Sequence, residues 1–256
     1  MKTRIIICGA CGKMGGTVLE LLAGDENAIA VAGVDLYPRE IGIPVYKSFA
    51  DVKEEADVII DFSSAENLKE RLDYARDNKL AIVLASTGFT PADLELVNDY
   101  AKTTTIFKTA NLSLGVNLMQ AICKTVAEVL GESYDVEIIE RHHNLKKDAP
   151  SGTALMLADS INEVFDNQKQ YVNGREGIVG ARKRSEIGIH AVRGGTIVGE
   201  HEVMFAGEDE IISITHSARS KRVFAVGAIK AAKFVAGKPV GMYAMKELLA
   251  ENSSEK

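Results

Sequence analysis

The chain is expected to form an α/β protein, a doubly wound parallel sheet joined to a second, α+β domain with a mixed or antiparallel sheet. Three observations carry this. Short apolar strand patterns alternate with helical patterns over about the first 110 residues. A glycine-rich turn, Gly9-Ala10-Cys11-Gly12-Lys13-Met14-Gly15, stands where the first strand gives way to the first helix. After Asn111 the alternation ends, and several strand patterns succeed one another without helices between them.

Taken in order, Ile5-Ile6-Ile7-Cys8 reads as a parallel strand buried on both faces, and Val18 to Leu22 as part of the helix after it. Ile29 to Asp35 and Asp57 to Phe62 are the next strands. The latter is followed by a helix with its apolar face at Leu68, Leu72 and Ala75. Leu80 to Leu84, the helical spacing Leu94-Val97-Tyr100, and Thr105-Ile106-Phe107 continue the series. Beyond Asn111, a long apolar helix from Val116 to Leu130 leads into the alternating strand Tyr134 to Ile139, and residues 151–166 form a further helix. Strand patterns then cover Ile187 to Val192, Ile197 to Phe205 and Glu210 to Thr215, before a helix from Val223 to Val235. The polar tail, 251–256, is expected to fray.

Composition narrows the function classes. The 256 residues carry a net charge of -6 and only 6% aromatic residues with no Trp, which speaks against nucleic acid as a partner. No apolar run approaches the ~20 residues of a membrane span. Met1-Lys2-Thr3-Arg4 passes straight into the first strand without a signal-peptide pattern, so a cytoplasmic location is expected. Cys8, Cys11 and Cys123 cannot complete a disulfide framework. Cys8 and Cys11 form a CxxC, but within a glycine turn they read as small residues rather than as a redox pair.

The turn's GxxGxxG spacing is a variant of the dinucleotide fingerprint of Rossmann-type folds. Gly9, Ala10, Cys11, Gly12, Lys13 and Met14 are therefore candidate cofactor-binding residues. Asp35, at the end of the second strand, is placed to hold a ribose diol. Position 36 is Leu, so the usual cation for a 2′-phosphate is missing there, and Lys13 is the substitute in sight. NADH, NADPH or both are the cofactors expected. Ala85-Ser86-Thr87 and Thr109-Ala110-Asn111-Leu112 each follow a strand, and the carboxyl ends of such strands line the ligand crevice.

Residues 140–154 concentrate the chemistry. His142 and His143 are proton-transfer candidates, and Lys146 and Lys147 add positive charge to an otherwise acidic chain. Ser151-Gly152-Thr153 opens a helix, whose free N–H groups suit a bound carboxylate or phosphate. The segment lacks HExxH, and the cysteines do not supply further ligands, so no metal is expected. No GxSxG elbow surrounds Ser151. A solvated charged loop is the plain alternative, and the histidines, lysines and helix start together favour protonation of an anchored carboxylate substrate.

These residues carry a resemblance. Glu140-Arg141-His142-His143 with Lys146, followed by Asp148-Ala149-Pro150-Ser151-Gly152-Thr153-Ala154, resembles the signature of bacterial dihydrodipicolinate reductases. The likeness extends to the Gly9–Gly15 loop, Thr87-Gly88-Phe89, Ala110-Asn111 with Ser113 and Gly115-Val116-Asn117, Arg193-Gly194-Gly195 and Val198-Gly199-Glu200-His201. It implies reduction of 4-hydroxy-tetrahydrodipicolinate by NAD(P)H with loss of water, in lysine and diaminopimelate synthesis. By position, it implies His142 as general acid/base, Lys146 as a proton-donating lysine, and His143, Gly152 and Thr153 as substrate-binding residues. It further implies that 222–256 fold back onto 1–111 to complete a dinucleotide-binding domain, leaving 112–221 for substrate binding and oligomerisation, usually as a homotetramer. There is one departure. Where the family has an Arg after Ser near the return, this chain reads Ser220-Lys221-Arg222. Lys221, Arg222 and Arg219 are the candidates for the substrate-facing cation, and the sequence does not decide among them; Lys221 is carried forward as the candidate. A related dehydrogenase of another small dicarboxylate or amino acid, and a non-catalytic NAD(H) sensor, are the competing functions.

Overall fold

Val, Ile and Leu runs that are apolar on both faces belong in a sheet covered on both sides, and the first of two compact units is built that way. The computed structural model describes residues 1–254. The first unit comprises Met1–Ser113 and Arg222–Lys256, and the second Leu114–Lys221.

The first unit runs β1 (Thr3–Cys8), α1 (Lys13–Ala23), β2 (Ala28–Val34), β3 (Val45–Tyr46), β4 (Val58–Asp61), α2 (Leu68–Asp77), β5 (Ala81–Leu84), α3 (Pro91–Tyr100) and β6 (Thr105–Lys108). Ile5, Ile6, Ile7, Ile59, Ile60, Ile82, Ile106 and Phe107 are completely buried. The start of α3 is set by Thr90, whose hydroxyl accepts from the Asp93 N–H while the Asp93 carboxylate accepts in return, with Pro91 in the first turn.

The second unit contains α4 (Leu114–Leu130), β7 (Asp135–His142), α5 (Gly152–Val164), β8 (Gln170–Asn173), β9 (Glu186–Arg193), β10 (Gly199–Ala206) and β11 (Ile211–Ala218). Its five strands lie in the order β11-β10-β7-β9-β8. The β11–β10 and β10–β7 pairs are antiparallel, and β7–β9 and β9–β8 parallel, so the sheet is mixed. One face packs Val136, Ile138, Ile187, Ile189, Val203 and Phe205 against Cys123, Leu157 and Ile161 of α4 and α5.

The chain then returns to the first unit with α6 (Arg222–Val235), β12 (Gly241–Tyr243) and α7 (Met245–Ser254). The completed sheet has the order β12-β6-β5-β4-β1-β2-β3, all parallel. The strand order reverses at β1, between β4 and β2, which is where such sheets open a ligand crevice. The fold class matches the sequence expectation, with α7 as a correction to it. Glu251–Ser254, expected to fray, continue that helix, whereas 255–256 lie outside the described residues. Among the described residues, no helix is long and apolar enough to cross a membrane.

Candidate active site

The glycine turn after β1 is shaped for close backbone approach. A Cβ at Gly15 would stand 2.4 Å from the Gly9 carbonyl oxygen, and Gly9 itself has φ +77°, so neither position tolerates a side chain without a shift. A pocket of about 310 Å³ opens at this end of the sheet, lined by Gly9, Asp35, Leu36, Lys47, Ser63 and Arg71 among others. Asp35 sits at its rim with Oδ2 accepting from the Cys11 N–H (2.9 Å) and Oδ1 from the Tyr37 N–H (3.0 Å). A carboxylate has about four lone-pair sites, so acceptors remain for a diol. These features fit an adenosine and its pyrophosphate.

The loop after β4, in the same pocket, is held by a buried charge pair and by bonds to its backbone. Arg71 and Asp61 are buried, with Arg71 Nε 2.9 Å from Asp61 Oδ2 in a charge contact whose N–H is not aimed at the oxygen. Arg71 donates to the Glu66 and Ser64 carbonyls, and Asp61 accepts from the Ser63 N–H and hydroxyl.

In the second unit, the inward face of β7 changes character along its length. Val136 and Ile138 meet the helices, and two residues further on each time come Glu140 and His142. Glu140 is completely buried and forms a hub. Arg193, from the neighbouring β9, donates to both of its carboxylate oxygens at 2.7 Å. The Ser151 N–H donates to Oε1 at 3.0 Å, and His142 Nδ1 lies 2.6 Å from Oε2. Burial alone would raise the Glu140 carboxyl, but the bonds from Arg193, His142 and Ser151 leave it below the ordinary range. An ionised carboxylate only accepts, so His142 carries its proton on Nδ1 and leaves Nε2 open. A Cβ at residue 199 would come within 3.1 Å of that Nε2, and Gly199 keeps the space clear.

Ser151 caps α5 through its hydroxyl, which accepts from the Ala154 N–H at 3.2 Å. The same oxygen lies 3.0 Å from His201 Nε2. The His201 and His142 rings meet edge-to-face with centroids 5.2 Å apart. Burial, and then the neighbouring His142, push the His201 imidazole down to about 4.

Of the residues singled out in the sequence, His142 and Ser151 come together in this cluster, and Gly152 forms the first, exposed turn of α5. The His143 carbonyl accepts from the Lys146 N–H, and Lys146 Nζ pairs with Asp148 at 2.8 Å. Arg222 pairs with Glu20, whereas Arg219 and Lys221 are exposed and form no ion pair among the described residues. In the first unit, Ala10 and Leu112 are buried, side chain and backbone alike. The Ser86 hydroxyl donates to Asp61, and Thr109 bonds within its own turn to Asn111. Lys13 is exposed at the start of α1 and does not line the pocket beside Asp35; Lys47 does. Glu140, Arg193 and His201 received no role from the sequence. For Glu140 a signal existed, an acidic residue two before His142 on one strand face. Arg193 and His201 arrive from other strands, and only the pairings His142 with Arg193 and Glu140 with His201 reveal them.

Two family models match the chain, one described as dihydrodipicolinate reductase, N-terminus, over residues 3–112, and the other as dihydrodipicolinate reductase, C-terminus, over 115–249. A 4-hydroxy-tetrahydrodipicolinate reductase of Caldanaerobacter subterraneus subsp. tengcongensis is 49% identical over 97% of this chain and 99% of its own length. One from Clostridium novyi is 43% identical over 96% and 98%. Among solved structures, a dipicolinate-bound dihydrodipicolinate reductase from Paenisporosarcina sp. TG-14 superposes with a TM-score of 0.79, at 27% identity over 95% of this chain and 98% of the other.

Proposed function

Since the chain belongs to the dihydrodipicolinate reductase family, we propose a division of labour among its residues for that family's reaction. The protein is an oxidoreductase that reduces 4-hydroxy-tetrahydrodipicolinate to tetrahydrodipicolinate with loss of water, using NADH or NADPH, in lysine and diaminopimelate biosynthesis. The bound nicotinamide supplies the hydride. The chain's own side chains bind, orient and protonate.

His142 is the proton donor to the reduced ring. Its support is the Glu140 carboxylate at 2.6 Å, which orients the imidazole, with Arg193 gripping both carboxylate oxygens. This triad is the observation that carries the reading. Lys146 assists by attracting the substrate's negative charge and donating a proton, which requires it to leave Asp148. The first turn of α5 takes one substrate carboxylate through the Gly152 and Thr153 N–H groups beside Ser151, and the helix dipole favours that charge. His143 and Lys221 complete the anion's surroundings. In the first unit, the turn from Gly9 to Met14 serves the pyrophosphate, and Asp35, on the pocket that Gly9 also lines, takes the ribose diol. The segments 85–87 and 109–112, which follow β5 and β6 at the carboxyl ends of the strands, serve the rest of the cofactor. The first unit thus serves the dinucleotide and the second the substrate, and the second also serves assembly into a homotetramer. Three free cysteines and a diffusible nicotinamide cofactor suit the cytoplasm.

The test is NADH and NADPH oxidation with and without freshly generated product of dihydrodipicolinate synthase. Oxidation is expected only with that product, and pyridine-2,6-dicarboxylate is expected to inhibit competitively against it. Inhibition competitive with NADH alone, or none at millimolar levels, would count against the carboxylate site at α5.

A further inference from the structure

His201 has no part in the chemistry assigned to His142 and Lys146, yet its burial is nearly complete, at 4% exposure. A hydrocarbon side chain would fill the same space without taking two ring nitrogens out of water. Among the described residues, Nδ1 is buried without a hydrogen-bond partner, as is Nδ1 of His216, its cross-strand neighbour on β11. Such a costly residue needs a reason, and its two contacts give one. Nε2 lies 3.0 Å from the Ser151 hydroxyl, and the ring stands edge-on to His142. Ser151 in turn donates its N–H to Glu140, and Glu140 accepts from His142. The contacts close a ring of four residues, Glu140, His142, His201 and Ser151, with the proton donor on one side and the first turn of α5 on the other.

We propose that His201 is a positioning residue for the reaction, closing this ring so that the His142 imidazole and the carboxylate-binding turn stay in one register. The inference rests on the roles proposed for His142 and for that turn. Because Nδ1 makes no hydrogen bond among the described residues, the less costly arrangement leaves it as a bare lone pair and puts the proton on Nε2, which donates to the Ser151 oxygen. The Ser151 hydroxyl proton is then available to a bound carboxylate rather than spent on the imidazole.

Three chains test this: wild type, His201→Leu and His201→Gln. Each is measured for the Kd of pyridine-2,6-dicarboxylate, the Kd of NADH, kcat and KM. Losing one hydrogen bond at the turn is expected to weaken the dicarboxylate about tenfold in His201→Leu, with kcat reduced at least as much and NADH binding unchanged. The amide of His201→Gln still donates to Ser151, so its dicarboxylate affinity is expected within about threefold of wild type. Its kcat stays low, because the ring against His142 is gone. A folded His201→Leu with both quantities within twofold of wild type would overturn the proposal, as would equal loss of dicarboxylate affinity in the Leu and Gln variants. If His201→Leu does not fold, His201→Gln is combined with Ser151→Ala: non-additive losses support the ring and additive ones overturn it. A wild type that binds no dicarboxylate would refute the reading of the turn, and this inference with it. A wild type that binds while His201→Leu binds equally well refutes this inference alone.

Discussion

At the scale of single residues, a histidine is a useful proton donor only when one ring nitrogen is held and the other left open. Glu140 does the holding at Nδ1, and its own charge is maintained by Arg193. Glu140→Gln keeps the shape but replaces an acceptor-only carboxylate with an amide that no longer fixes the Nδ1 proton, so kcat is expected to fall on the order of 10²-fold with NADH affinity unchanged. Steady-state kinetics and NADH titration check this. Cofactor choice is a second matter of single side chains. With Asp35 at the ribose as proposed, its carboxylate would repel a 2′-phosphate and Leu36 would not offset it, but Lys47 shares the pocket with both, whereas Lys13 lies outside its lining. Lys47→Ala is expected to lower kcat/KM for NADPH several-fold more than for NADH, and Lys13→Ala to affect both alike. The sequence led to Lys13 because it stands inside the glycine motif. Lys47 follows a strand only two residues long, and nothing local ties it to the cofactor.

At the scale of elements, the long helices and buried strands were legible because their apolar residues repeat with the right period. The strands β3, β8 and β12 were not. They are two to four residues long and lie at sheet edges, and their residues are exposed or half-buried, so no pattern is imposed on them. The polar end of β7 was half-legible, since Glu140 and His142 keep the strand alternation while exchanging apolar for charged groups. The loop between β4 and α2 shows a different limit. Its clamp joins Asp61 to an arginine ten residues on, in the middle of α2, where helix periodicity marks Arg71 only as a face-inward cation. Removing one partner of a buried pair leaves the other uncompensated, so Arg71→Ala is expected to destabilise the fold by about 3–5 kcal/mol. Urea denaturation checks this, and a loss below about 1 kcal/mol, the worth of a surface pair, would contradict it.

At the scale of the whole molecule, three buried groups, His201, Glu137 and Glu140, make acid unfavourable. His201 is held at about 4 when folded, against an ordinary 6.5, so the unfolded chain binds the extra proton first. Its stabilisation is complete above about 6.5 and is lost as pH falls toward 4, a contribution on the order of 3 kcal/mol. Glu137 is held down to about 2. Burial alone would raise it, but Arg175, Arg182 and His190 outweigh that. Glu140 is likewise depressed, and both lose their contribution as pH falls below the ordinary carboxylate range. Thermal unfolding across pH is therefore expected to show decline beginning near 6.5 and steepening below about 4.5, and His201→Gln should flatten the upper part only. A Tm constant from pH 7 to 5 would contradict the burial of a neutral His201.

Across these scales, the central proposal is that an imidazole oriented by Glu140 and assisted by Lys146 delivers the proton while the first unit serves the dinucleotide. The most direct measurement is kcat of His142→Ala in NADH oxidation with freshly generated 4-hydroxy-tetrahydrodipicolinate, alongside the Kd of NADH. Loss of a general acid predicts a fall of about 10²–10⁴-fold in kcat with the NADH Kd unchanged. Turnover near that of the wild type would contradict the assignment of His142 as proton donor.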